Sequence, residues 1–138
     1  MDYKQMTAPC GLDCFNCPAY LARENEKLRG IISKKMGIPS EKAFCQGCRN
    51  ENGTIAFLSM TQPCNVYRCI GGKDIDFCRD CSDFPCDHLH PYADKASEVP
   101  HNTKVFNLCL IKKMGLEPWA ESKAKSVKGT YFKGSFKL

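Results

Sequence analysis

Cysteine is the residue that most constrains what this chain can fold into. Eleven cysteines occur among 138 residues, and ten of them fall into four close groups between residues 10 and 86. The groups are Cys10, Cys14 and Cys17; Cys45 and Cys48; Cys64 and Cys69; and Cys78, Cys81 and Cys86. An odd total and short spacings fit ligands shared around a metal better than a disulfide framework. The sequence therefore predicts metal ligation by these ten cysteines.

The spacing inside the groups has a physical reason. A C-x2-C turn lets two sulfurs reach one ion while backbone N–H groups hydrogen-bond them, and Gly47 in "CQGC" has the permissive backbone that such turns favour. The spacing does not fix which groups share an ion. A weak preference is that Cys45 and Cys48 share an ion with a downstream pair, and that the first group takes a fourth ligand from residues 64–86. His88 is a further candidate ligand.

Sulfur-only ligands allow either zinc or an iron–sulfur cluster. Ten thiolates fill two tetrahedral zinc sites with two sulfurs left over, so about two zinc ions are expected. The stretch "CGLDCFNCP" does not match the bacterial ferredoxin run, which needs a fourth cysteine before its proline. Zinc is therefore the expected metal, with an iron–sulfur cluster as the alternative.

The C-x3-C-x2-C spacing of Cys10, Cys14 and Cys17 is also the one that radical-SAM enzymes use. That chemistry needs a large barrel of alternating strands and helices. Too few residues follow the motif to build one, and no glycine-rich SAM-binding strand can be read after it. We therefore interpret the match to the radical-SAM spacing as a coincidence.

Helical patterns flank the cysteine-rich loops. Pro18 suits a first helical position, and an amphipathic helix is predicted to follow it, with a break near Asn25 and an end at "KKMG". Gly37 is expected to provide a left-handed cap. A second helix is predicted over about 102–114, ending with the same capping device, and a shorter one in "EPWAESKAKS", where Trp119 is expected to anchor the core.

The fold expected is one small α-rich domain, stapled by metal, with amphipathic helices around a cysteine-rich zinc-binding loop region. Its segments are residues 1–43 with the first ligands and helix, 44–90 with the loops, 100–126 with helices, and a basic tail at 127–138. The tail "VKGTYFKGSFKL" alternates loosely and fits a strand, a hairpin or a poorly ordered end. Cys109, between Leu108 and Leu110, is expected to be a buried thiol and not a ligand.

The cysteine motifs together resemble a known family. "CGLDCFNCPAYLA", "CQGC", "CNVYRC" and "FCRDCSDFPCDHL" are similar to the pattern of an uncharacterised prokaryotic domain-of-unknown-function family that is cysteine-rich and suspected of binding zinc. The resemblance spans residues 8 to about 89. It implies the ten grouped cysteines as metal-ligand candidates, but some members carry a further cysteine at the position of Thr61. It implies no activity.

The function expected is a structural zinc protein that serves as a binding or adaptor module for a protein or small-molecule partner. No catalytic constellation is found, since H-E-x-x-H, the zinc-deaminase pattern and the P-loop are all missing. Whether the protein is an enzyme stays open. The alternative class is an iron–sulfur or thiol redox protein, because Cys17 precedes a helix start that lowers thiol pKa values.

A third function class is nucleic-acid binding. The net charge is +5, and residues 103–138 hold eight lysines against two glutamates. Tail lysines alternate with Tyr131, Phe132 and Phe136, which suits phosphate contacts and base stacking. Packing of these aromatic rings on the protein body is the favoured interpretation. No secretory signal and no membrane span can be read, so a cytoplasmic location is expected.

Overall fold

The computed structural model describes all residues from 1 to 138 and contains helices without strands. The α-helices are α1 (Pro18–Leu21), α2 (Glu26–Met36), α3 (Asn65–Lys73), α4 (Lys104–Met114), α5 (Leu116–Ser122) and α6 (Ala124–Lys133). One short 3-10 turn precedes α1 and five lie between the later helices, and one isolated bridge pairs Thr7 with Asp13. The predicted α-rich class is confirmed. None of the helices combines the length and apolar character needed to cross a membrane.

The break predicted near Asn25 separates α1 from α2. Asn25 is the N-cap of α2, and its side-chain oxygen accepts a hydrogen bond from the N–H of Leu28 at 3.0 Å. The helix ends at Gly37, whose φ of 64° and ψ of 32° are left-handed. Both ends of α2 are therefore set by local capping, as the sequence predicts.

The second "KKMG" does not end its helix in the same way. Gly115 has φ 91° and ψ 163°, which is outside the left-handed helical region. The reason is that α5 begins at the next residue, Leu116, so the chain must turn directly from one helix into another. Pro118 lies in the first turn of α5, where its missing N–H costs nothing. The predicted left-handed cap at Gly115 is wrong.

The tail forms a helix over most of its length. Helix α6 includes Val127, Lys128 and Tyr131, and only residues 134–138 lack regular structure. The half-buried side chains of Val127 and Tyr131 lie four residues apart on one face, which is a helical and not a strand period. The Tyr131 hydroxyl donates to the Ala96 carbonyl at 2.7 Å. Of the three alternatives predicted for the tail, the strand and the hairpin are wrong, and an irregular end is confined to residues 134–138.

One hydrophobic core joins the helices to the cysteine-rich loops. Leu108, Ile111 and Trp119 are fully buried in it, and Cys10 and Cys78 belong to the same cluster. The Trp119 indole N–H donates to the side-chain oxygen of Asn107 at 3.4 Å. The Asn107 amide in turn donates to the Gly11 carbonyl at 2.9 Å. Trp119 is the core anchor that the sequence predicts, and Asn107 connects it to the first cysteine loop.

Cationic side chains hold the loops in place through hydrogen bonds and an ion pair. Arg49 donates to the carbonyls of Thr7 at 3.0 Å and Asp76 at 2.7 Å, which joins two loops distant in sequence. The Lys128 ammonium lies 2.7 Å from the carboxylate of Asp13, which is 2% exposed. These contacts satisfy backbone carbonyls and a carboxylate that no secondary structure pairs.

Candidate metal centre

The ten grouped cysteines occupy one continuous region that divides into three sets. The knuckle group is Cys14, Cys17, Cys45 and Cys48; the cavity group is Cys69, Cys78, Cys81 and Cys86; and the central pair is Cys10 and Cys64. All ten have free thiols.

The knuckle group consists of two C-x2-C turns placed next to each other. Cys14 opens a 3-10 turn in which the Cys17 N–H donates to the Cys14 carbonyl at 2.8 Å, and Cys17 is the N-cap of α1. The second turn is attached to this helix by the N–H of Cys45, which donates to the Ala19 carbonyl at 2.9 Å. One backbone hydrogen bond therefore brings together turns that are about 30 residues apart in the chain.

Gly47 makes the close approach of the two turns sterically feasible. Its φ is +93°, and a Cβ placed on it would lie 2.8 Å from Cε2 of Tyr20 and 4.0 Å from Sγ of Cys14. Its N–H donates to Sγ of Cys45 at 3.3 Å. Glycine is required here by both the backbone conformation and the neighbouring ring.

The other three sulfurs of the knuckle group are each within electrostatic range of Cys14. Burial raises the pKa of Cys14 to about 11, opposed by a hydrogen bond from the N–H of Cys48, while a charge on Cys17 would raise it further. Burial likewise raises the pKa of Cys45 to about 12, and the charges of Glu51, Cys14 and Cys17 act in the same direction. These thiols therefore carry their protons at neutral pH until a cation displaces them.

The cavity group surrounds a cavity of about 160 Å³. Its four cysteines line this space together with Val66, Ile70, Lys73, Ile75, Asp83, Phe84, His88 and Leu89. Most of the wall is therefore apolar apart from the sulfurs. Burial raises the pKa of Cys78 to about 12, and charges on Cys10, Cys86, Cys69 and Cys81 would raise it further.

Cys81 has the most polar surroundings in the cavity group. The Lys73 ammonium donates to Sγ of Cys81 at 3.0 Å and lies 2.5 Å from the Asp83 carboxylate. The N–H of Asp83 also donates to Sγ of Cys81, at 3.4 Å. A cation and a backbone N–H donor therefore both contact this sulfur.

The central pair lies between the two groups. Cys64 is the N-cap of α3 and accepts the N–H of Tyr67 at 3.4 Å. A hydrogen bond from the Cys48 thiol lowers the pKa of Cys64, and the same contact raises that of Cys48. Burial raises the pKa of Cys10, whereas the cation of Lys104 favours its thiolate.

Lys104 and Lys73 are site residues that the sequence analysis missed. Lys104 is 7% exposed, and its charge acts on both Cys10 and Cys64. Nothing in the sequence distinguishes it from the exposed lysines of the same helix. Lys73, as the last residue of the short helix α3, has an equally ordinary sequence context.

The arrangement differs from the weakly preferred ligand division. Cys45 lies with Cys14 and Cys17, not with a downstream pair, while Cys48 contacts the downstream Cys64. His88 is exposed and borders the cavity. No three cysteine, histidine or acidic side chains converge closely enough to form a ready-made site for an ion.

Two other expectations concern surface residues. Cys109 is exposed on α4, so its predicted burial is wrong; Leu108, the preceding residue, takes the inward position. In the tail, Lys128 is paired with Asp13 and Tyr131 is bonded to Ala96, as expected for packed side chains. Phe132 and Phe136, by contrast, are exposed.

Comparison with known proteins identifies one family. The family model described as "Protein of unknown function (DUF3795)" matches residues 6–91, which include all ten grouped cysteines. No curated protein and no solved structure matches the chain. Since the family model covers more than half of the sequence, this chain belongs to the DUF3795 family.

Proposed function

We propose that this protein binds zinc through the knuckle group and that the ion has a structural role. The donor set would be four thiolates from two C-x2-C turns, a combination typical of closed structural zinc sites. Soft sulfur ligands without carboxylate select zinc over calcium or magnesium. A closed four-sulfur site leaves no position for a substrate.

The observation that carries this proposal is the hydrogen bond between the Cys45 N–H and the Ala19 carbonyl, at 2.9 Å. It fixes the second turn against the helix that starts at Cys17. The Gly47 N–H, which donates to Cys45 Sγ at 3.3 Å, is oriented to stabilise a bound thiolate. The backbone is thus arranged for sulfur anions, although the free thiols are neutral.

A structural ion would also stabilise residues 44–64, which gain little stability from packing. Between residues 44 and 64 the only buried residues are Gly47 and Gly53, so this segment buries no large apolar side chain. A segment of this kind gains little from the hydrophobic effect, and ordering it costs conformational entropy. Structural zinc contributes about 10–16 kcal/mol of apparent binding energy in small zinc peptides, which is enough to order such loops.

The biological role that follows from a closed site is that of a binding or adaptor module. A metal that only orders loops makes their surface, and not the ion, the functional element. The partner would be a protein or a small molecule that contacts the ordered loops. Chemistry at the knuckle zinc would contradict this role.

The test is metal analysis combined with chelation. The protein, expressed without metal supplementation, is expected to contain zinc at a fixed molar ratio. Treatment with a zinc chelator should lower the midpoint of thermal unfolding, and added zinc should restore it. A protein that contains no zinc, or one whose unfolding midpoint is the same with and without chelator, would contradict the proposal.

A further inference from the structure

We propose that the cavity group binds a [4Fe–4S] cluster, at a site separate from the zinc of the knuckle group. Cys69, Cys78, Cys81 and Cys86 would be its four ligands. The inference goes beyond the proposed zinc function and does not depend on it. It rests on the shape of the cavity, its apolar wall and the contacts of Cys81.

The size of the cavity distinguishes the two metal chemistries. Four thiolates bound to one zinc lie about 2.3 Å from the ion and leave no space between themselves. The cavity group instead encloses about 160 Å³. One water molecule needs about 10–15 Å³ of such space, so the cavity has room for much more than a single water or ion. A cubane of iron and sulfide, held at its corners by four cysteines, is a ligand of suitable size.

The four cysteines approach the cavity from different parts of the fold. Cys69 comes from helix α3, Cys78 and Cys81 flank a 3-10 turn, and Cys86 precedes another such turn. The pattern is a C-x2-C-x4-C run with one remote cysteine. Iron–sulfur ligand sets commonly combine a run of three cysteines with a fourth from elsewhere in the chain.

The rest of the wall suits a cluster better than a hydrated ion. Val66, Ile70 and Leu89 are buried, and they line the cavity together with Ile75 and Phe84. An apolar wall limits the access of water, which controls the potential and the lifetime of a bound cluster. The carboxylate that lines the cavity, Asp83, is paired with the Lys73 ammonium and so is not free to favour a hard cation.

Charge around Cys81 also fits a cluster. A [4Fe–4S] core with four thiolates has a net negative charge, and the Lys73 ammonium contacts Sγ of Cys81 at 3.0 Å. The N–H of Asp83 donates to the same sulfur at 3.4 Å. Hydrogen bonds to ligand sulfurs and nearby charge are the means by which proteins tune such clusters.

The knuckle group lacks these features. The Gly47 N–H donates to Sγ of Cys45 at 3.3 Å, and the Cys45 thiol donates to the Glu51 carboxylate at 3.6 Å. Its sulfurs therefore contact neighbouring groups instead of enclosing a space. The two sets of cysteines are suited to different metals, although they are adjacent in one fold.

The experiment compares both metals in one preparation. The full chain is purified without oxygen and reconstituted with ferrous iron and sulfide, and iron, acid-labile sulfide and zinc are then quantified per chain. We expect about four iron and four sulfide per chain, together with zinc, and a Mössbauer spectrum of a [4Fe–4S] centre.

Five variants test the assignment of the metals to the two groups. Cys69→Ser and Cys86→Ser are expected to lose most of the iron and sulfide but keep zinc, while Cys45→Ser should lose zinc but keep the cluster. The exposed Cys109→Ser is the matched control and should keep both. Lys73→Met should keep iron but shift the reduction potential of the cluster, because one cation is removed from a ligand sulfur.

Three results would overturn the proposal. The first is a wild-type chain that takes up no iron and sulfide after reconstitution; the second is zinc in the cavity group, shown by zinc loss in Cys86→Ser. The third is full iron content in both Cys69→Ser and Cys86→Ser. If a serine variant fails to fold, the iron-to-sulfide ratio and Mössbauer spectrum of the wild type still decide whether the chain binds a [4Fe–4S] cluster. A wild type with iron but no zinc would contradict the zinc function while supporting the cluster.

Discussion

Cys45 donates its backbone N–H to the carbonyl of Ala19 at 2.9 Å, and this bond sets the two C-x2-C turns of the knuckle group against each other. Ala19 lies in the helix that begins directly after Cys17, so the contact fixes the distance between the two turns. The ligand set proposed for zinc therefore depends on a main-chain contact and not only on the cysteines themselves.

The Cys45→Ser variant tests the proposed ligand set. A hydroxyl is a much poorer zinc ligand than a thiolate, so zinc affinity should fall more than the roughly 10–100-fold typical of second-shell changes. The measurement is competition with a chromophoric chelator at fixed pH. Cys109→Ser, which alters an exposed thiol, should bind zinc as tightly as the wild type. Equal zinc affinity of the two variants would show that Cys45 is not a zinc ligand.

Gly47→Ala tests the backbone of the second turn. The added methyl group would lie 2.8 Å from the Tyr20 ring at a φ of +93°, so the loop must move away from Cys14. We expect weaker zinc binding and a loss of about 1–3 kcal/mol in the free energy of unfolding. Gly30→Ala, in helix α2 where no atom lies within 4 Å, should instead be neutral or stabilise by up to about 1 kcal/mol. Urea unfolding of the zinc-loaded proteins measures the free energy of unfolding of both variants.

Lys128→Met tests the attachment of α6 to the first cysteine loop. The change would leave the carboxylate of Asp13, which is 2% exposed, with only the Asn16 amide as a side-chain donor. Breaking a buried ion pair on one side costs about 3–5 kcal/mol, and the retained hydrogen bond favours the lower value. Lys125→Met, at an exposed position of the same helix, should change the free energy of unfolding by less than about 0.5 kcal/mol. Similar losses of unfolding free energy in both variants would show that the Lys128–Asp13 ion pair does not stabilise the fold.

His101 predicts a dependence of stability on pH. Burial lowers the pKa of His101, and the nearby Lys104 cation adds to this effect. The unfolded chain therefore binds a proton at His101 more readily than the folded chain does, and its ordinary pKa is about 6.5. It follows that stability falls as the pH drops through about 6.5 toward the lower pKa of the folded state.

The measurement is the free energy of unfolding at pH 7 and pH 5 for His101→Gln and for the wild type. The variant should lose less stability on acidification, since it removes the titrating group. His90→Gln, at an exposed position, should behave like the wild type. Thiol protonation affects all three proteins equally, so the difference between them isolates His101. A pH response of His101→Gln equal to that of the wild type would contradict the prediction.

Local signals in the sequence predict part of this fold well. Both ends of α2 follow from Asn25 and Gly37, because capping depends on residues within one turn of the helix end. The burial of Trp119 follows equally from its size and apolar character. In contrast, the helical state of the tail depends on packing, including the Tyr131 contact with Ala96, which no local pattern reveals.

The division of the cysteines is the part that the sequence leaves open. Spacing within a group is local, but the pairing of groups depends on how the chain returns between residues 19 and 45. The Lys73 contact with Cys81 and the Lys104 charge near Cys10 depend on the same tertiary packing. The cysteine spacing therefore predicts metal ligation, while only the fold separates the knuckle group from the cavity group.

The most direct test of the central claim is X-ray absorption spectroscopy at the zinc edge of the purified protein. The account predicts zinc bound by four sulfurs at about 2.3 Å, and loss of this signal in Cys45→Ser but not in Cys109→Ser. A zinc shell of nitrogen or oxygen ligands, or an unchanged four-sulfur signal in Cys45→Ser, would contradict it.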